Sequence, residues 1–194
     1  MAIVVLLRGV NVGGHRTFRP SALAEHLSHL DVVNIGAAGT FVIRRPVGRA
    51  QVRLEITRRL PFDAEIMLCK GSAIVRLMSR DFFQDHDPGQ ARSGHAPYPS
   101  EVGPDIVRFV SVLSRSPRLA PSLPMDLPID GPWLVKMLAR EHRFVVGLYR
   151  RQMKAISQLG MLDRVFGVPA TTRSWTTMAA VAEVLQGRRG PSRG

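Results

Sequence analysis

The sequence predicts an α+β protein with an N-terminal subdomain of the split βαβ type and a second, smaller α+β subdomain after it. Three observations carry that expectation. Over residues 1–69 the apolar patterns run strand, helix, strand, strand, helix, strand, the order in which two helices cover one face of an antiparallel sheet, as in ferredoxin-like sandwiches. Strand and helix patterns resume after a stretch at 84–104 that is rich in Gly, Pro, Asp and Ser. The chain has 194 residues, 45% hydrophobic and 22% charged, with a mean hydropathy of +0.02, which suits a folded chain able to bury its own core. The expected layout is therefore a ferredoxin-like subdomain at 1–83, a loop or linker at 84–104, a second α+β subdomain at 105–187, and a disordered tail at 188–194.

Each element has its own signal. Residues 2–8 (AIVVLLR) are β-branched and apolar, too short for a helix, and close on Gly9, so they read as a buried strand. Residues 9–18 read as a loop. Pro20 and Ser21 open a helix that runs to Leu30, with Leu23, Leu27 and Leu30 on one face. Residues 32–35 and 40–43 are short strands joined by a glycine-flanked turn at 36–39. A basic amphipathic helix follows at 49–60, then a strand at 64–69 and a helix at 72–83. In the second half, strands are expected at 106–114, 133–139 and 144–150, and helices at 153–166 and 174–186. Five prolines between 117 and 132 argue for little regular structure there.

Composition removes several function classes. The single cysteine, Cys69, excludes an internal disulfide and any multi-thiolate zinc or iron–sulfur centre, and a reducing compartment fits best. The opening apolar run is too short for a signal peptide or a membrane span, and no other uncharged run reaches about 18 residues, so a cytoplasmic protein without membrane association is expected. The charge is unusual: 27 Lys+Arg against 15 Asp+Glu, net +12. The balance is +6 over residues 1–60, −2 over 61–130 and +8 over 131–194. Such an excess points to an anionic small molecule or a nucleic acid as partner. A plainer reading stands beside it. All the basic residues but Lys70, Lys136 and Lys154 are arginine, a bias that genome base composition produces without selection for binding.

Two segments could carry chemistry. In the first, LLRGVNVGGHR, glycines between a strand and a helix let the backbone approach an anion, with Arg8, Gly9, Asn11, Gly13, Gly14, His15 and Arg16 as candidate ligands. The glycine spacing matches neither the dinucleotide fingerprint nor a Walker loop, and the glycines could serve only to turn the chain. In the second, PATTRSWTTM, hydroxyls and an arginine stand beside an expected helix start, so Thr172 and Arg173 could bind an anion and Trp175 could stack on a planar group. A helix cap and a core tryptophan explain the same residues. Other constellations are thin: Asp85, His86, Asp87 and His95 lie in the expected loop without ligand-like spacing, His26 and His29 share a helix face, and Cys69 suits a small core position. Neither a G-x-S-x-G elbow nor an H-E-x-x-H pair occurs. No metal or cofactor is expected.

The opening LLRGVNVGGH and the closing VPATTRSWTT together resemble the bacterial family known as domain of unknown function 1697, whose members open on L-R-G-I-N-V-G-G and close on P-A-T-x-R-N-W-N-T. The resemblance implies a cytoplasmic α+β protein with ferredoxin-like subdomains and brings no activity with it. Where that family has a polar I-Q-S-G-N turn, this chain has Ala37, Ala38 and Thr40, and Ser174 and Thr176 replace two asparagines of the closing motif. The function expected is anion binding (phosphate, nucleotide or nucleic acid) in a cleft between the glycine loop and the TTRSW segment. An enzyme acting on a small anionic substrate, with His15 as acid/base, and a protein-interaction module are the alternatives.

Overall fold

The computed structural model describes residues 1–10, 18–83 and 105–187. It is an α+β protein with two antiparallel sheets, and the chain divides into two compact units, Met1–Ser79 together with the segment from Thr176 onward, and Arg80–Trp175. The second unit therefore ends earlier than sequence order suggests, because the C-terminal helix groups with the first unit. The expected tail at 188–194 and loop at 84–104 lie outside the described residues.

The first unit follows the split βαβ order. Strand β1 (Ile3–Arg8) leads to helix α1 (Pro20–His26), a 3-10 turn (Ser28–Leu30), β2 (Val32–Asn34), β3 (Thr40–Ile43), α2 (Arg49–Thr57), β4 (Glu65–Lys70) and α3 (Gly71–Met78). The strands lie in the order β2-β3-β1-β4, with Val5 opposite Phe41 on one side and Leu68 on the other. Ile3, Val5 and Leu7 pack with Leu23, Leu27, Leu30, Val52 and Ile56 to form the core beneath α1 and α2. Val4 and Leu6, on the opposite face of β1, are equally buried. That explains why the strand reads as an unbroken apolar run rather than an alternation.

Local signals set the boundaries. Pro20 occupies the first turn of α1, where its fixed φ and missing N–H cost nothing. The helix stops sooner than expected, at His26, and the chain tightens into the 3-10 turn, which ends on Asp31 in the left-handed region (φ 52°). The Arg44 guanidinium pairs with Asp31 at 2.6 Å, and that contact raises the Arg44 pKa. The basic face of α2 also has a structural task. Arg53 donates to the Ile66 carbonyl at 2.9 Å and Arg49 to the Leu68 carbonyl at 3.5 Å, covering the open edge of β4.

In the second unit, β5 (Ile106–Leu113), β6 (Met125–Leu127), β7 (Val135–Glu141) and β8 (Phe144–Arg150) precede helices α4 (Met153–Gly160) and α5 (Leu162–Phe166), and β9 (Ala170–Ser174) follows. Helix α6 (Trp175–Leu185) closes the described chain. The sheet order is β6-β7-β8-β5-β9. Phe109, Leu113, Val135, Met137 and Val145 form one core with Leu162 and Phe166. This sheet has five strands, against four in the first unit.

Two strands were not expected. Strand β6 lies within the proline-rich stretch, where prolines flank it instead of interrupting it; at the sheet edge a three-residue strand tolerates such neighbours. Strand β9 takes Thr171, Thr172 and Arg173, which sequence reasoning placed just before a helix start. The expected single helix at 153–166 is two helices, the second closed by Gly167 in the left-handed region (φ 63°).

Candidate functional site

In the first unit, β1 delivers Arg8 and Gly9 to one end of the sheet. Arg8 lies opposite Glu65 in the β1–β4 register, and their side chains form an ion pair, so Glu65 already meets part of the Arg8 charge. Gly9 turns the chain with φ at 67°. The remaining candidates of this segment, Asn11, Gly13, Gly14, His15 and Arg16, lie outside the described residues.

The turn at 36–39 packs against the root of this segment. Leu7 N–H donates to the Gly39 carbonyl at 2.8 Å. Gly39 has φ at 67°, and a methyl group there would lie 2.9 Å from both Leu7 Cβ and Val10 Cγ2. Positive φ and lack of room act together, so Gly39→Ala should lower stability by about 1–3 kcal/mol, read as a shifted urea midpoint. The positions that are polar in the resembled family, here Ala37, Ala38 and Thr40, thus border the start of the glycine segment. Beside them on β2, the buried Asn34 Oδ1 has no hydrogen-bond partner among the described residues. A polar residue in the turn is one way such an acceptor would be met.

In the second unit, β9 organises the other segment. Register sets Thr172 opposite Ser111 and Arg173 opposite Val110. Thr172 Oγ1 and Ser111 Oγ are 2.6 Å apart, a hydroxyl pair on the core face of the sheet. On the other face Arg173 is only 8% exposed. Its Nη1 donates to Thr171 Oγ1 at 3.0 Å and to the Thr172 carbonyl at 2.8 Å. Burial lowers its pKa to about 10 because the charged form is desolvated.

Trp175, at the start of α6, lies beside two phenylalanine rings. Phe83 meets it in a T-shaped arrangement with centroids 4.9 Å apart, and Phe82 does so at 6.4 Å. Arg108 caps this cluster, with Cζ 4.9 Å from the Phe83 centroid. Arg80 lies 5.2 Å over Phe82 and pairs with Glu141 at 2.8 Å. Arg108 is two residues before Val110 on β5, so it shares a sheet face with Arg173. Two cations and an aromatic cluster therefore occupy neighbouring positions on one face.

Sequence reasoning missed Arg108, Phe82 and Phe83. A usable signal was there for Arg108: it is the only charged residue in the apolar run IVRFVSVL. Of the expected candidates, Thr172, Arg173 and Trp175 come together in the second unit, while Arg8 and Gly9 belong to the first. His29 lies 3.4 Å from Glu55 on the surface, and Cys69 is a buried core residue of β4. Among the described residues no cluster of His, Cys, Asp or Glu could hold a metal ion, and Asp85, His86, Asp87 and His95 lie outside them. No helix among the described residues is long and apolar enough to cross a membrane.

No family model matches the sequence, and comparison with curated proteins finds no match. Among solved structures, the chain is similar to the conserved bacterial protein SP0830 from Streptococcus pneumoniae, with a TM-score of 0.51 and 12% identity over 95% of this chain and 98% of that one. At that identity the likeness is one of fold.

Proposed function

We propose that this protein binds a small oxyanion, a phosphate or the phosphate of a nucleotide, with Arg173 as its principal cation and Arg108 beside it on the same face of the second sheet. The burial of Arg173 carries the reading. A guanidinium at 8% exposure acts on an anion through a medium of lower dielectric than water, where its charge is screened far less than that of a surface arginine. The hydroxyl of Thr171 and the carbonyl of Thr172 hold it in one orientation. A buried cation suits a compact ligand better than a polynucleotide backbone lying on the surface. The glycine segment that starts at Gly9 is proposed as a further anion contact of the first unit.

Membership of the domain of unknown function 1697 family is part of this proposal, supported by the opening and closing segments. The strand order β2-β3-β1-β4 supports a ferredoxin-like reading of the first unit. The lone buried Cys69 fits a reducing, cytoplasmic setting.

Thermal melts in phosphate, against chloride at equal ionic strength, test the reading. Phosphate at about 100 times its Kd adds about 2.7 kcal/mol, a rise on the order of 5–10 °C for a chain of this size. The Arg173→Gln protein should lose most of that rise. Equal melting of the native protein in both salts would overturn the reading. Retention on immobilised polynucleotide that falls steeply with salt would instead favour nucleic acid.

A further inference from the structure

At the far side of the second sheet, strands β6, β7 and β8 build a second cationic corner. Lys136 on β7 lies opposite Asp126 on β6 and Leu148 on β8. Arg150 is two residues beyond Leu148, so it shares the face of Lys136. The backbone fixes the corner, with Arg150 N–H donating to Leu134 O at 2.9 Å and Leu134 N–H to Leu127 O at 2.8 Å. Both cations approach the same indole. Arg150 Cζ is 4.5 Å and Lys136 Nζ 5.4 Å from the centroid of Trp133.

The two cations are treated differently. The Lys136 ammonium, on a side chain only 3% exposed, is held by both carboxylate oxygens of Asp126, at 2.5 and 2.6 Å. Arg150 has no carboxylate partner among the described residues. Its Nε donates to the Trp133 carbonyl at 3.1 Å, and its plane is anchored over the indole. The N–H groups on Nη1 and Nη2 meet no acceptor among the described residues. A half-buried guanidinium pinned at two points, with its terminal fork unused, is already arranged for two parallel hydrogen bonds to one oxyanion. With Asp126 balancing Lys136, the corner keeps one net positive charge.

We propose that Arg150, held over Trp133, forms an oxyanion-binding site separate from Arg173, which takes a phosphate or carboxylate group through Nη1 and Nη2. Lys136 and Asp126 position the indole and add no direct ligand. The full chain labelled with 5-fluorotryptophan tests this, because its two tryptophans give two fluorine resonances and the one lost in Trp175→Phe identifies Trp133 by elimination. Titration with inorganic phosphate, at ionic strength held constant with chloride, should move the Trp133 resonance saturably. In Arg150→Gln the half-saturation should rise at least about tenfold, the size of effect expected for losing a charged bidentate contact. Arg150→Lys, which keeps the charge and loses the fork, should be weakened as well, and it carries the test if the glutamine variant does not fold.

In Arg173→Gln the Trp133 response should persist, which separates this site from the one proposed at Arg173. Parallel titration with acetate shows whether a carboxylate serves equally. A Trp133 resonance that ignores both anions, or that responds alike in native, Arg150→Gln and Arg150→Lys proteins, would overturn the proposal.

Discussion

Gly147→Ala should cost the protein about 3 kcal/mol or more, a large share of the total stability of an ordinary chain. Gly147 lies on β8 opposite both Phe109 and Met137, beside the register shift between Met137 and Ala139. A methyl group there would lie 2.1 Å from the Lys136 carbonyl oxygen and 2.8 Å from two carbons of the Phe109 ring. The ring has little room, since Phe109 is fully buried. The carbonyl cannot retreat without breaking the β7–β8 pairing that carries Lys136 and Arg150. Both strain and lost strand pairing therefore act together. Chemical denaturation followed by circular dichroism reads the outcome, and a variant within about 1 kcal/mol of the native protein would show that β7 and β8 do not approach this closely.

The second large effect is an asymmetry between two partners. Asp126→Asn should destabilise by about 3 kcal/mol, the lower end of the range for removing one member of a buried ion pair, because the Asp126 side chain is 39% exposed while that of Lys136 is 3% exposed. The neutral amide leaves a buried ammonium in the sheet without its carboxylate, and the nearby Trp133 face offsets little of that charge. Lys136→Met should cost far less, since the carboxylate left behind already reaches water and the new side chain suits a buried strand position. The double variant should then recover most of the loss of Asp126→Asn. Equal costs for the two single variants would mean that the Lys136 ammonium is not desolvated.

These contacts show what a single sequence can and cannot disclose. The buried strand β1 was legible because an apolar run of six residues closing on glycine has few other readings, and α1 because proline at its first turn announces a helix start. Register is not legible. Arg8 looks like a free cation beside a glycine loop, and only the pairing of β1 with β4 brings Glu65, 57 residues on, to meet it. Arg173 looks like part of a helix cap until β9 pairs with β5 and turns it into the sheet face opposite the hydroxyl pair of Thr172 and Ser111. The three-residue β6 carries too little pattern to show among its prolines.

The charge excess is now divided among specific tasks. Arg49, Arg53, Arg45 and Arg143 donate to backbone carbonyls, and Arg44 and Arg59 pair with Asp31 and Glu55. These arginines support the scaffold, a role that the composition could not separate from nucleic-acid binding. Arg173, the cation proposed for ligand recognition, differs from them in being buried in the second sheet at 8% exposure.

The account therefore stands on Arg173, and its side-chain Nε–H resonance is the most direct witness. In protein labelled with 15N-arginine, the resonance absent from Arg173→Gln belongs to this residue. The account predicts that phosphate shifts that resonance saturably, while chloride at the same ionic strength leaves it in place. A resonance that stays unmoved through a phosphate titration to saturating concentration, in protein whose fold is intact by circular dichroism, would contradict it.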